Sequence, residues 1–287
     1  MNVLKSIAVW FIGLSFMIVM FPLTLIIWLL ALPFDRERVV IHWILIYQSL
    51  FLAHLIPIWK IDIEGREKTV KGTTYVIISN HQSILDILLL NCLKYKFKWI
   101  SKIENIKVPV LGWYLRMAGY ITVNRGNEES KAEMFERSLN TLKRGISIMI
   151  FPEGTRSFNE KIQEFKSGVE IILKITQAPI LPAVIQGNSK IFPKSRKIYS
   201  LAALGTMNVI FGKIISPEEY LSYPRRKFMK ALEAEIRMLD AKLKSMPYYN
   251  CRGITTISDV MMHVINFNTT CLFYCVKVIN FFAKLFK

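Results

Sequence analysis

Apolar residues crowd the two ends of this chain and alternate with polar ones between them. Ile7 to Phe34 carries no charge. As a single helix, this run of about 28 residues would reach about 42 Å, more than the ~30 Å hydrocarbon core of a bilayer. It is too long for a signal peptide, and no small-residue cleavage site follows it. Pro22 is placed to kink or break it. Asp35-Arg36-Glu37-Arg38 then interrupts the run. A second apolar segment follows from Val39 to Trp59, with His42, Gln48, Ser49 and His54 as its polar positions. Residues 1–58 therefore predict a two-helix membrane element, spanning as a hairpin or lying in one leaflet. Lys5 before it and Lys60 after it suit a hairpin with both ends cytoplasmic. His42 and His54 read as interfacial or packing residues. Tyr47 and Trp59 stand five residues on, where a carboxylate partner would be needed.

Beyond this element the period changes. Trp59, Ile61 and Ile63 alternate with Lys60, Asp62 and Glu64, the pattern of a half-buried strand ending at Gly65. Further strands are expected at Thr73–Ser79, Phe97–Ser101, Gly119–Val123, Ser147–Phe151, Ile180–Ile185 and Asn208–Phe211. Helices are expected at Ser83–Leu93, Asn127–Arg144, Val169–Thr176 and Pro217–Lys244. Phe135, Leu139 and Leu142 should line the apolar face of the second of these. Ser216 and Pro217 have the N-cap and N1 chemistry to open the last. Strands alternating with helices imply an α/β fold over residues 59–250, a mixed, mostly parallel sheet flanked by helices. The tail, 251–287, is apolar again, with Val260, Val264, Phe267, Cys271, Tyr274 and Val278 at helical spacing. It reads equally as an interfacial helix or as a helix packed on the core.

Charge narrows the partners. The net charge is +17 over 287 residues, and mean hydropathy is +0.32. A basic chain suits nucleic acid, anionic lipid or phosphate-bearing substrates, and the apolar ends favour the lipid readings over nucleic acid. Cys92, Cys251, Cys271 and Cys275 have no zinc spacing and read as reduced side chains, so no metal site is expected.

Two segments carry candidate chemistry. Asn80-His81-Gln82-Ser83-Ile84-Leu85-Asp86 puts an imidazole at a strand-to-helix junction, with a carboxylate in the first turns of the helix. That carboxylate can hold one ring nitrogen and leave the other as a base. The helix N-terminus offers backbone N–H groups to an anion. A lone His-x4-Asp arises by chance in any chain with several histidines, and a capping histidine is its bland reading. Phe151-Pro152-Glu153-Gly154-Thr155-Arg156-Ser157 adds a tight turn that aims a guanidinium, the side chain suited to bidentate phosphate binding. Both follow apolar strands, where open α/β sheets place ligands.

Together these segments resemble the glycerophospholipid acyltransferase family, whose first block reads Asn-His-x4-Asp and whose third reads Phe-Pro-Glu-Gly-Thr-Arg-Ser. Its second block is similar to Lys102-Ile103-Glu104, Pro109, Gly112 and Gly119 through Val123-Asn124-Arg125. Asn124 stands where many members have aspartate. A fourth, proline-centred block is similar to Ile180-Leu181-Pro182-Ala183-Val184.

The resemblance implies acylation of the sn-2 hydroxyl of lysophosphatidic acid to give phosphatidic acid. His81 would be the general base and Asp86 its orienting acid. Arg156, Lys102 and Arg125 would hold the acceptor phosphate, with Glu153, Gly154 and Thr155 shaping that site. Pro182 would help shape the acyl pocket. No cofactor or metal is implied; the co-substrate is an acyl-CoA or acyl carrier protein thioester. Membrane lipids are the other expected partners. The implied location is a membrane, bacterial inner membrane by expectation, with the active site on the cytoplasmic side. Acylation of another lyso-lipid, or a non-catalytic basic membrane scaffold, are the competing readings.

Overall fold

A computed structural model describes residues 2–55, 59–65, 68–70, 72–158, 160–192, 194, 205–224 and 227–246. The expectations for the tail, 251–287, and for Cys251, Cys271 and Cys275 lie outside the described residues.

Two helices open the chain, α1 (Asn2–Ala31) and α2 (Val39–Leu55). α1 runs unbroken through Pro22. Proline there forfeits one backbone donor, but Met17, Phe21 and Leu25 pack against the domain on either side of it. The two helices are not alike. Residues 7–31 of α1 form a segment long and apolar enough to cross a membrane, and hardly any of it is buried. α2 is shorter, and its Val40, Ile41, Ile44, Ile46, Leu50 and Ala53 are buried in the core. Gln48 Nε2 on α2 donates to Thr24 Oγ1 on α1 at 2.8 Å, tying the pair.

The α/β body follows as β1 (Trp59–Glu64), β2 (Val76–Ser79), α3 (Leu85–Asn91), β3 (Phe97–Lys102), a 3₁₀ turn over Ile103–Lys107, α4 (Leu111–Met117), β4 (Ile121–Val123), α5 (Glu128–Lys143), β5 (Ser147–Ile150), α6 (Ser167–Thr176), β6 (Ile180–Gln186), α7 (Asn188–Ile191), β7 (Gly205–Phe211), α8 (Pro217–Leu221) and α9 (Lys227–Ser245). The strands form one sheet in the order β1-β7-β6-β2-β5-β3-β4. β6, β2, β5, β3 and β4 run parallel. β7 is antiparallel to β6, and β1 parallel to β7. β2 and β5 are buried along their whole length, as strands covered on both faces must be. One face packs on α2 and α3 through Ile77, Met149, Leu89 and Ile41. The other packs on α5, α6 and α9 through Val76, Ile148, Ile172 and Ile236.

Three expectations need correction. The charged segment 217–244 is two helices, because Pro224 lies between α8 and α9 and cannot continue a helix. Ser216 does cap the first, accepting from the Glu219 N–H at 3.3 Å. The buried stripe of α5 is Met134, Ser138 and Leu142, with Phe135 only partly covered. α4 was not expected at all. It is seven residues long and opens at Val110, which has φ +63° and no side-chain cap, so it sends no start signal.

Candidate active site

β2 and β5 are parallel neighbours with Ile78 opposite Ile150. The chain therefore leaves their C-terminal ends side by side, which brings His81 beside Phe151. The two rings stack at 3.9 Å with 7° between their planes. Two backbone contacts stitch the segments further. The His81 N–H donates to Glu153 Oε1 at 2.8 Å, and the Ser157 N–H donates to the His81 carbonyl at 2.8 Å.

Asp86, the second residue of α3, is fully buried. Its Oδ2 accepts from His81 Nδ1 at 2.8 Å, from the Gln82 N–H at 2.6 Å and from the Ser83 N–H at 2.9 Å. Its Oδ1 accepts from Asn188 Nδ2 at 2.6 Å. A carboxylate so supplied stays an acceptor, so Nδ1 carries the proton and Nε2 keeps its lone pair. The His81 side chain is 16% exposed, enough for a substrate hydroxyl to reach that nitrogen. The α3 N-terminus does not offer its amides to a ligand as expected, because Asp86 consumes those of Gln82 and Ser83. Asn188 escaped sequence reading: it lies 102 residues from Asp86, and a lone asparagine after a strand carries no signal.

Asn80 anchors the same junction from the other side. Its Nδ2 donates to the Ile185 carbonyl at 3.0 Å and its Oδ1 accepts from the Ile185 N–H at 2.7 Å. It replaces a ladder rung between β2 and β6 just past their last paired residues.

The structure places Glu153 under the site rather than in it. Its side chain is 1% exposed, and Oε2 accepts from the Gln163 N–H at 2.9 Å. Both oxygens thus hold backbone, and burial pushes its carboxyl up to about 7. It shapes the cradle by locking the turn to His81. Gly154 has φ +70°, a conformation glycine adopts freely. A side chain there would meet the Arg125 guanidinium at 3.3 Å. Arg125 follows β4 and donates to the Gly154 carbonyl.

Lys102 ends β3 at the same end of the sheet, half-exposed and 2.8 Å from Glu104. The Arg156 guanidinium is partly exposed and makes no hydrogen bond or ion pair among the described residues, so it is free to meet an anion. Sequence reading also missed Lys194. Its ammonium donates to Thr155 Oγ1 at 3.0 Å and to the Arg156 carbonyl at 2.8 Å, over the Phe158 ring. Four cations thus sit on the loops around His81, close together only because four strands end there.

Pro182 lies mid-strand in β6, opposite Ile78. By strand alternation it shares the face of Ile180 and Val184, the α9 side, whereas Phe151 packs with the other face. It stands where the β6–β7 ladder slips by one residue between the Ile180–Ile215 bridge and the Ala183–Phe211 pair. A residue without an N–H is tolerated there. Among the described residues no group of three or more His, Cys, Asp or Glu side chains could hold a metal ion.

Comparison with known proteins agrees with this geometry. The sequence model of the acyltransferase family matches residues 60–186. The chain is 36% identical over 166 residues to a chloroplastic 1-acyl-sn-glycerol-3-phosphate acyltransferase of Brassica napus, covering 57% of this chain and 47% of that one. It is 30% identical over 193 residues to a 1-acyl-sn-glycerol-3-phosphate acyltransferase of Chlamydomonas reinhardtii, covering 66% and 57%. The match thus spans about half the length of these relatives. Among solved structures, the 1-acyl-sn-glycerophosphate acyltransferase of Thermotoga maritima superposes with a TM-score of 0.70 over 86% of this chain and 97% of that chain, at 24% identity, which shows the shared fold. A histidine locked by a buried aspartate, stacked on the turn that presents a free arginine, lies within the region that the acyltransferase family model matches.

Proposed function

We propose that this protein transfers an acyl group from a thioester to the sn-2 hydroxyl of 1-acylglycerol-3-phosphate, giving phosphatidic acid. The observation that carries the reading is the His81–Asp86 pair with Nε2 left open beside a free Arg156. That these relatives are 1-acyl-sn-glycerol-3-phosphate acyltransferases supports the choice of acceptor.

In this mechanism the acceptor phosphate sits among Arg156, Arg125, Lys102 and Lys194, and its hydroxyl donates to His81 Nε2. As Nε2 takes the proton, the oxygen attacks the thioester carbonyl. The tetrahedral intermediate collapses, the C–S bond breaks, and the imidazolium returns the proton to the departing thiolate. Asp86 stabilises the imidazolium without taking its proton. The donor is an acyl-CoA or acyl carrier protein thioester, and no further cofactor is invoked.

The long apolar helix α1 supports a membrane location for this chemistry. It touches the domain along its length, from Trp10 against Phe192 to Trp28 beneath Arg38. Its other side exposes Ile7, Phe11, Leu14, Ile18, Ile26 and Leu29. A helix bound lengthwise to a charged domain cannot cross a bilayer without dragging that domain in. These contacts support the reading that α1 lies in one leaflet, and we assign the domain to the cytoplasmic side as expected from the sequence. The Phe192 carbonyl accepts from Ser83 Oγ at 2.7 Å, so the start of α1 lies next to the His81 junction, where a lipid acceptor would arrive.

The test gives purified protein one labelled acyl thioester and a panel of lyso-lipids, with products separated by thin-layer chromatography. Labelled phosphatidic acid is expected, and none from His81→Ala. Preferential acylation of a different lyso-lipid would replace the proposed acceptor. Turnover by well-folded His81→Ala would overturn the mechanism.

A further inference from the structure

The start of β3 and the turn into β4 lie at the opposite end of the sheet from His81. There a cavity of about 570 Å³ opens between the α1–α2 corner, α4 and the second half of α5. Arg36, Arg38, Lys98, Arg116, Arg137 and Arg144 line it, with Glu37 as the one carboxylate in the lining. Glu37 is engaged by Arg144 at 2.8 Å. Glu133 is 3.7 Å from Arg137, and Asp35 is occupied by the N–H groups that open α2. Arg36 and Arg116 pair with no carboxylate among the described residues.

Lys98 is the telling residue. It is 4% exposed, and its ammonium donates to the Ala118 carbonyl at 2.5 Å and the Arg38 carbonyl at 3.3 Å. One N–H is left over, and no carboxylate lies within ion-pair distance among the described residues. Asp35 and Glu37 offset its charge only from a distance and are engaged elsewhere, and the Tyr120 ring lies 5.8 Å from the ammonium, so burying it among further cations still costs the fold. Such an arrangement becomes favourable when an anion with several oxygens enters.

The surroundings say where that anion comes from. Leu29, Leu30 and Leu32 are exposed on the chain immediately before Arg36, at the end of the helix placed in the leaflet. Cations directly beyond an interfacial apolar stripe stand at the level of lipid phosphates. Lys98 precedes Lys102 by four residues and the lining residue Thr122 precedes Arg125 by three, so this cavity is about 10–13 Å along the strands from the cations around His81. We propose that it is a binding site for the phosphate headgroup of an anionic phospholipid, separate from the acylation site. The inference rests on α1 lying at a membrane and not on the acylation reaction.

Flotation of the full chain with vesicles tests it, using phosphatidylcholine alone or with roughly a fifth phosphatidylglycerol. Wild type is compared with R36Q/R116Q and with a control, K213E/K230E, which alters exposed cations elsewhere. The cavity variant should lose the preference for anionic vesicles by about 10-fold or more, at roughly one such cation per several-fold in affinity. Its binding to neutral vesicles and its acylation rate in detergent should stay within about two-fold. The control should change little, because exposed charges beyond a Debye length of ~8 Å are screened. An unchanged preference in the cavity variant, or an equal loss in the control, overturns the proposal. Glycerophosphate and coenzyme A are added as soluble probes. If either binds through Arg36 and Arg116 while the vesicle preference survives, the site takes a soluble phosphate and the lipid assignment is wrong. Failure of wild type to bind neutral vesicles would fault the placement of α1, and the anionic vesicles would still report on the cavity. Should the double variant misfold by near-ultraviolet circular dichroism, Arg36→Gln alone gives the same comparison.

Discussion

At the scale of single residues, the site depends on one carboxylate with four donors. Asp86→Asn would replace an acceptor with an amide facing three N–H groups. It should lower turnover by at least the ~10²–10⁴ of general-base loss. Asn188 acts through Asp86 as a positioning residue. Asn188→Ala should reduce kcat by a smaller factor and leave KM for both substrates near normal, which steady-state kinetics will show. A shift of the kcat–pH profile would accompany it, as a merely structural change would not produce. Arg156 is tested on the substrate side. Losing one partner of a desolvated charge pair commonly costs ~2–5 kcal/mol. Arg156→Ala should therefore raise the apparent KM for lysophosphatidic acid far more than that for the thioester. Arg156→Lys should recover only part, as it keeps the charge without the fork. A rise confined to the thioester would move the phosphate site to Lys102, Arg125 and Lys194.

At the scale of elements, backbone contacts decide what surrounds these residues. A Cβ on Gly112 would come within 1.9 Å of the Ile106 carbonyl oxygen. α4 can thus settle on the 3₁₀ turn after Lys102 only with glycine there. Gly112→Ala should destabilise by roughly the 1–3 kcal/mol of overpacking or more, seen as a lower Tm, and should weaken acceptor binding by displacing that turn. α1 makes the converse case, an element whose outer face touches nothing among the described residues. Phe11 and Ile18 are 71% and 59% exposed there. Changing both to serine should leave the fold intact and release protein from neutral vesicles, because each buried apolar side chain is worth about 1.5–3 kcal/mol. Release of wild type by salt alone would mean that charge, not α1, holds the protein.

At the scale of the whole molecule, two buried groups oppose each other as pH changes. His42 hydrogen-bonds Tyr120 Oη at 3.1 Å and the Tyr95 carbonyl at 2.8 Å, and burial holds it down to about 3. The unfolded chain takes up a proton near pH 6.5 that the folded chain refuses, so stability is lost as pH falls from there towards 3. Glu153 works the other way. Its folded carboxyl keeps its proton to about pH 7, so it favours the fold increasingly as pH drops from there through the ordinary carboxylate range. The two largely offset each other between about pH 7 and 4.5, so Tm of wild type should change little there and fall below it, as His42 alone goes on costing stability towards pH 3. In His42→Gln Tm should instead rise as pH drops through the Glu153 window, and an unchanged slope would remove His42 from the account. The two motifs, the α/β alternation and the apolar character of α1 were all legible in the sequence, because they depend on residue type and period within short windows. The packing role of His42 was legible too, from the missing carboxylate beside it. Burial of α2, the reversed direction of β7, the place of Glu153 beneath His81, and the arrival of Asn188 and Lys194 were not. Each depends on which strand ends lie side by side, and that is settled by core packing between residues far apart in the chain. Sequence therefore determined which chemical groups are present and roughly which elements carry them. Only the tertiary structure decided which group is left open beside His81, which holds backbone, and which cations share a cavity.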